Sequence, residues 1–213
     1  MAKVSLPLLA VRASGTIGKA ITFGNWRGIN YARQRVVPAN PQTTAQVSQR
    51  DLFAFVVSAW QRAPAAVQNA FIASARGTGY TGFNLFSKRN LVSLKGKANL
   101  TDFIAAPGQS GANPLSVLSA TGGSGQVDVS ATVGDTIPGS VTDKVHFILI
   151  RDGAPAGALN RNFAAFSDST APYTHTFTGL AAGAYVVYAF TECTEAAGKR
   201  VYSVSLSQSV NVS

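Results

Sequence analysis

At 213 residues, 46% hydrophobic and 13% charged, the chain has apolar material for one large domain or two small ones and too little charge for a disordered polyelectrolyte. Its charged fraction falls well short of the rough quarter found in free soluble domains, as in proteins that hide surface in an assembly. The single cysteine, Cys193, excludes an intramolecular disulfide and a cysteine-built zinc site, and no run approaches the ~18 apolar residues of a transmembrane helix.

Residues 1–15 lack periodicity and read as an extended arm. Lys3, the apolar stretch Val4–Val11 and Arg12 imitate a secretory signal, but Pro7 interrupts the stretch and no small-residue cleavage site follows. Thr16 to Val37 predicts a β-hairpin, with strands near Ala20–Phe23 and Ile29–Val36 and a turn within Gly24-Asn25-Trp26-Arg27-Gly28. Alternation places Tyr31, Arg33 and Arg35 on one face of the second strand. An aromatic beside arginines suits single-stranded nucleic acid or a protein surface, and the protein surface is the preferred reading.

Val37-Pro38-Ala39-Asn40-Pro41 is a stiff connector. Thr43 and Gln46 form a capping box for a helix running to about Arg62, with Phe53, Val56, Val57 and Trp60 as its apolar stripe. Pro64 opens a second helix, with Val67 and Phe71 on one face, which Gly77 and Gly79 end. A third helix over Gly82 to Lys95 turns Phe83, Phe86 and Leu94 inward, so that Trp60, Phe53, Phe71 and Phe86 make a small core.

Residues 105–114 have the Gly, Pro, Ser and Asn content of a linker. Beyond it, strand-like runs at Leu115–Ala120, Gln126–Val133, Lys144–Arg151, Tyr173–Thr178, Ala184–Thr191 and Lys199–Val212 alternate with turn signals, among them Asp152-Gly153 and Ala197-Gly198. Leu180-Ala181-Ala182-Gly183-Ala184-Tyr185, leading into Val187 and Ala189, resembles the tyrosine corner of fibronectin type III and immunoglobulin-like domains. The immunoglobulin Cys…Trp…Cys set is missing, so the fibronectin type is the closer likeness. The expected architecture is therefore an α+β chain in two parts. Residues 1–104 form a basic arm, hairpin and helical anchor, and residues 115–213 an all-β immunoglobulin/fibronectin III-like sandwich beyond the linker.

The net charge of +9 is split unevenly. Residues 1–113 hold 13 Lys and Arg against Asp51 and Asp102, whereas residues 114–213 hold five basic and seven acidic residues. The first 50 residues carry seven basic side chains and no acid, and such a segment is drawn to an acidic protein surface or to nucleic acid. Arg12, Lys19, Trp26, Arg27, Tyr31, Arg33 and Arg35 are the candidate contacts there.

A second candidate surface comes from two strands that are apolar on both faces. Tyr185, Val187 and Ala189 alternate with Val186, Tyr188 and Phe190, and Val145, Phe147 and Leu149 alternate with Ile148 and Ile150. A sandwich strand with one wet face alternates with polar residues. The second face, made of Ile148, Ile150, Val186, Tyr188 and Phe190, is therefore expected to lie under another copy, the chain's helical half or a partner shell, or under the connection 151–171.

Residues in patterns that carry catalysis are scarce. His146 and His175 fall in predicted strands with no nucleophile motif nearby, and Gly122-Gly123-Ser124-Gly125 lacks the Lys-Ser/Thr of a phosphate loop. The expectation is a protein that is not an enzyme and has no catalytic, metal or cofactor site.

Four segments of the N-terminal half resemble a recurrent group of bacteriophage and prophage proteins. They are Gly15-Thr16-Ile17-Gly18, Trp26-Arg27-Gly28, Asn40-Pro41-Gln42-Thr43-Thr44-Ala45-Gln46-Val47-Ser48-Gln49-Arg50 and Gly82-Phe83-Asn84-Leu85-Phe86, within residues 15–95. The resemblance implies a virion structural protein, made in the host bacterial cytoplasm, whose partners are other virion proteins and further copies of itself. A multi-copy head decoration, head-fibre or neck-attached protein is the leading expectation. The alternatives are a tail or baseplate component with a host-binding sandwich, and an internal protein that binds the genome. No membrane or small-molecule substrate belongs to these readings.

Overall fold

The computed structural model describes residues 2–3, 13–153 and 163–213. The chain divides into two units, Met1–Thr43 and Thr44–Ser213. The division falls at the foot of the first helix and not in the segment 105–114 that composition marks as a linker.

In the first unit the predicted hairpin is the centre of a four-stranded antiparallel sheet. Its strands are β1 (Ala2–Lys3), β2 (Gly15–Ile17), β3 (Ile21–Trp26) and β4 (Ile29–Gln34), in the order β1-β4-β3-β2. The two ends of the expected arm supply the edge strands, since a lone hairpin leaves the outer N–H and C=O groups of both strands unpaired. Trp26 pairs with Ile29, so the turn is only Arg27-Gly28, with φ of 52° and 83°. Positive φ at both central residues matches the right-handed strand twist of a tight hairpin. The Gly28 N–H donates to Asn25 Oδ1 (3.2 Å) and Asn25 Nδ2 donates to Asn30 Oδ1 (2.9 Å), which close the turn.

The second unit has three layers. Helices α1 (Thr44–Arg62), α2 (Ala65–Ala75) and α3 (Gly82–Ser93) form one, and Thr81 caps α3 by accepting from the Asn84 N–H (3.2 Å). Helix α1 buries Leu52, Phe55, Val56 and Ala59, while Phe53 is half exposed and Trp60 only partly covered. The buried stripe thus sits one residue away from the predicted one. Both stripes satisfy the helical period, and the packing partner selects between them.

The next layer is a five-stranded antiparallel sheet of β7 (Ser140–Arg151), β8 (Ala164–Asp168), β10 (Gly183–Glu195), β11 (Arg200–Tyr202) and β12 (Leu206–Val212). Strand β7 flanks β10 on one side, with a bulge between Glu192 and Cys193, and β12 and β11 divide the other side. The connection expected over 151–171 contains β8, which pairs with β7, and residues 154–162 lie outside the described residues. The last layer is the three-stranded sheet β5-β6-β9, made of Leu115–Gly122, Gln126–Val133 and Tyr173–Thr178. Between the sheets lie Val127, Val129 and Phe177 on one side and Val145, Phe147, Leu149, Tyr185, Val187 and Ala189 on the other. The second half of the unit is therefore an antiparallel β-sandwich.

The opposite face of the five-stranded sheet packs on the helices. Ile148, Ile150, Val186, Tyr188 and Phe190 share one core with Leu52, Phe55, Val56, Phe71, Phe86 and Phe103. Phe103 is the central ring, with centroids 5.5 Å from Tyr188, 5.8 Å from Phe86 and 6.3 Å from Phe55. The Tyr188 hydroxyl donates to the Leu100 carbonyl. Buried Asn90 of α3 donates to the carbonyls of Phe86 and Ile104 (both 3.2 Å) and accepts from the Ile104 N–H (2.8 Å), so both amide donors and the amide oxygen are engaged. Of the covers anticipated for the second apolar face, the chain's own helical half supplies most of the described packing, and Phe163 of the 151–171 connection adds to it, with its ring centre 6.1 Å from that of Phe103. Those five residues are interior packing and not a surface for a partner, because a strand that is apolar on both faces needs two covers.

The segment 105–114 belongs to this unit as well. Ala105, Ala106 and Asn113 are buried. The Gln109 N–H donates to the Tyr202 carbonyl (2.8 Å), Gln109 Oε1 accepts from the Tyr202 N–H (3.1 Å), and Asn113 Oδ1 accepts from the Ile137 N–H (2.7 Å). Gly111 lies in a turn and Pro107 bridges Val204, in a strap hydrogen-bonded along the sheet edge, and the same residue types compose a free linker.

Candidate functional site

Among residues 13–43 none is buried. The sheet of the first unit therefore presents its side chains instead of enclosing them. Cross-strand pairing matches Trp26 with Ile29, Gly24 with Tyr31 and Thr22 with Arg33, so Trp26, Ile29, Tyr31 and Arg33 share one face. The Tyr31 ring lies across Gly24, where a Cβ would come within 2.5 Å of the phenol oxygen. Glycine in this strand is the cradle that lets the ring lie flat.

Each aromatic on this face has a cation beside it. The Arg27 guanidinium carbon is 4.8 Å from the Trp26 ring centre, and that of Arg33 is 5.9 Å from Tyr31. Trp26 is 64% exposed and Ile29 45% exposed. Lys19 occupies the β2–β3 turn at φ 55°, and Arg35 follows β4 with its N–H donating to the Ala20 carbonyl (2.7 Å). Arg12 lies outside the described residues. Met1–Thr43 carries six basic residues and no acid, so nothing within the unit's sequence neutralises this charge. Such a face can cover an apolar patch with Trp26 and Ile29 and hold carboxylates through the arginines.

Alternation from Tyr31 could have flagged Ile29, and a glycine inside a strand could have flagged Gly24. The predicted docking residues thus fall into two groups. Lys19, Trp26, Arg27, Tyr31, Arg33 and Arg35 belong to one small exposed sheet, while Ile148, Ile150, Val186, Tyr188 and Phe190 are core.

His146 has partners that the sequence did not reveal. Its Nδ1 is 2.6 Å from Ser167 Oγ and its Nε2 is 2.9 Å from Glu192 Oε2, and Glu192 Oε1 lies 3.2 Å from Arg200. The network runs across β8, β7, β10 and β11 and braces the sheet. The hydroxyl faces Nδ1 and the carboxylate Nε2, the reverse of the arrangement in serine proteases. Burial holds the imidazole below its ordinary value of 6.5, against the hydrogen bond and charge of Glu192, which raise it. No described trio of His, Cys, Asp or Glu is grouped to hold a metal ion.

No protein-family model matches the chain, and no curated protein does. Among solved structures it is similar to the fibronectin(III)-like modules of Clostridium thermocellum CbhA, at 28% identity and a TM-score of 0.29, over 46% of this chain and 46% of that one. It is also similar to a family 76 glycoside hydrolase from a bovine Bacteroides thetaiotaomicron strain, at 14% identity and a TM-score of 0.34, over 46% of this chain and 20% of that one. The chain spans less than half the length of either.

Proposed function

We propose that the chain is a bacteriophage virion structural protein that attaches through its basic N-terminal sheet to an acidic protein surface of the particle. It is present in many copies and exposes the Thr44–Ser213 unit, as a head decoration, head-fibre or neck-attached protein does. The observation that carries this reading is a four-stranded sheet with no buried residue among 13–43, six cations in Met1–Thr43 and no acid. A sheet that small is marginal by itself in water and gains its missing cover from a partner. The phage resemblance of residues 15–95 supplies the setting. The sandwich is, in this reading, of the fibronectin type III kind, supported by its three-strand and larger sheets and by the Tyr185 hydroxyl donating to the Ala181 carbonyl (2.9 Å), the hydrogen bond of a tyrosine corner.

The test uses the full chain and particles stripped of it. Arg27→Glu with Arg33→Glu places carboxylates on the docking face without touching a buried residue. Co-sedimentation is expected to drop by about tenfold or more, and undiminished incorporation would falsify the proposal. The arginine–aromatic pairs also favour a second reading, stacking of single-stranded genome bases on Trp26 and Tyr31. Nucleic-acid binding that falls log-linearly with salt, with no binding to stripped particles, selects that reading.

A further inference from the structure

One end of the sandwich carries a groove of about 620 Å³, formed where β6 ends, β7 begins and β9 begins. That volume is in the range of small-molecule sites, roughly 300–1,000 Å³. Its lining combines Tyr173 with Thr132, Thr136, Ser140 and Thr142. The chain has 18 basic and nine acidic side chains, yet no described residue lining the groove is charged. An anion calls for a cation or a helix N-terminus, and a cation for carboxylates. This wall offers neither and selects a neutral ligand.

The floor is fixed before any ligand arrives. Asn113 is buried, with Nδ2 donating to Thr142 Oγ1 (2.9 Å) and to the Ser140 carbonyl (3.4 Å) while Oδ1 accepts from Ile137. A preformed site loses little freedom on binding. Ser140 Oγ is buried and has no hydrogen-bond partner among the described residues, an uncommon state for a polar atom. That Oγ is sealed from solvent and belongs to the floor, whereas exposed Thr136 and half-buried Thr142 line the groove beside half-buried Tyr173, which matches a ligand with an apolar C–H face and a rim of hydroxyls.

We infer that this groove binds neutral carbohydrate, the uncharged hexopyranose units of an oligosaccharide, with a sugar face against Tyr173 and its hydroxyls toward Thr136 and Thr142. This adds ligand recognition to the attachment role and does not depend on it.

The experiment is an amide chemical-shift titration of the full-length protein with maltopentaose, cellopentaose and chitopentaose, each to ~10 mM, where weak binding still registers, and with inorganic phosphate as the charged comparison. At least one sugar is expected to give saturable shifts centred on Thr136, Thr142 and Tyr173, and phosphate none there. Thr136→Lys and Val141→Asp change exposed groove residues and are expected to weaken that binding by about tenfold or more with an unchanged melting temperature. Three outcomes overturn the assignment: no saturable shift at these amides with any of the sugars, phosphate outcompeting them there, or sugar binding that both variants leave intact.

Discussion

Phe103→Ala tests whether the helices and the sandwich are one cooperative body. The ring is nearly inaccessible and touches aromatic rings from α1 (Phe55), α3 (Phe86) and β10 (Tyr188). Truncating a buried phenylalanine costs about 3–5 kcal/mol. Its neighbours are anchored in helices and a sheet, so the site collapses little and the cost is expected near ~4 kcal/mol. For a unit of this size that is roughly 8–16 °C in melting temperature. Two probes report separate layers. Trp60, whose ring is 5.2 Å from Phe86, reports the helices by fluorescence in a Trp26→Phe background. Cys193, the single cysteine and fully buried in β10, reports the sheet through its reactivity toward a thiol reagent. In urea both transitions are expected to coincide in the wild type and to move together in Phe103→Ala. A Cys193 transition that stays at the wild-type midpoint while the Trp60 transition moves would refute the single-body reading.

Ile148→Ser with Tyr188→Ser is expected to unfold Thr44–Ser213 instead of merely weakening assembly, because both side chains are interior. A thermal melt that matches the wild type contradicts this. Gly24→Val drives a side chain into the Tyr31 ring and should speed amide exchange across 21–34, whereas unchanged exchange would show that Tyr31 moves aside freely. The pH dependence of stability follows from His146. Its folded pKa is lowered mainly by burial, with a small contribution from Lys144 and opposition from Glu192, while Ser167 and the Arg200-paired Glu192 complete its surroundings. The unfolded chain therefore binds the proton more readily, and stability is full above about pH 6.5 and erodes as pH falls from there toward the folded value. His146→Gln should flatten the change in urea midpoint between about pH 7.5 and 5. His175, also lowered by burial, leaves a residual slope, and an unaltered slope in His146→Gln removes His146 from the account.

Local rules located most elements. Gln126–Val133 and Tyr173–Thr178 follow from alternation between turn residues, and α2 from Pro64 and the glycines after it. Strand β8 was not legible, because Ala164-Ala165-Phe166-Ser167-Asp168 has no alternation of its own and is a strand through its pairing with β7. The His146 network was equally hidden, since its members lie 21 and 46 residues apart and meet only through strand register. Separating residues 1–104 as the anchor likewise fails at the helices, whose buried stripes pack on the sheet. The attachment proposal accordingly rests on Met1–Thr43 alone.

Residue types and local periods suffice to show that residues 1–50 are basic without an acid, that the chain after Leu115 is a set of short strands, and that two of those strands are apolar on both faces. Those properties are set by residue type and by periods of two or 3.6, which neighbours in the chain suffice to express. What covers the second apolar face, which stripe of α1 turns inward and where the chain divides were set by the folded arrangement. Each of those choices depends on contacts between distant segments, and the same apolar residues would have packed as well on another copy. The helices Thr44–Ser93 lie on the five-stranded sheet because Phe103 and Tyr188 complete one core there.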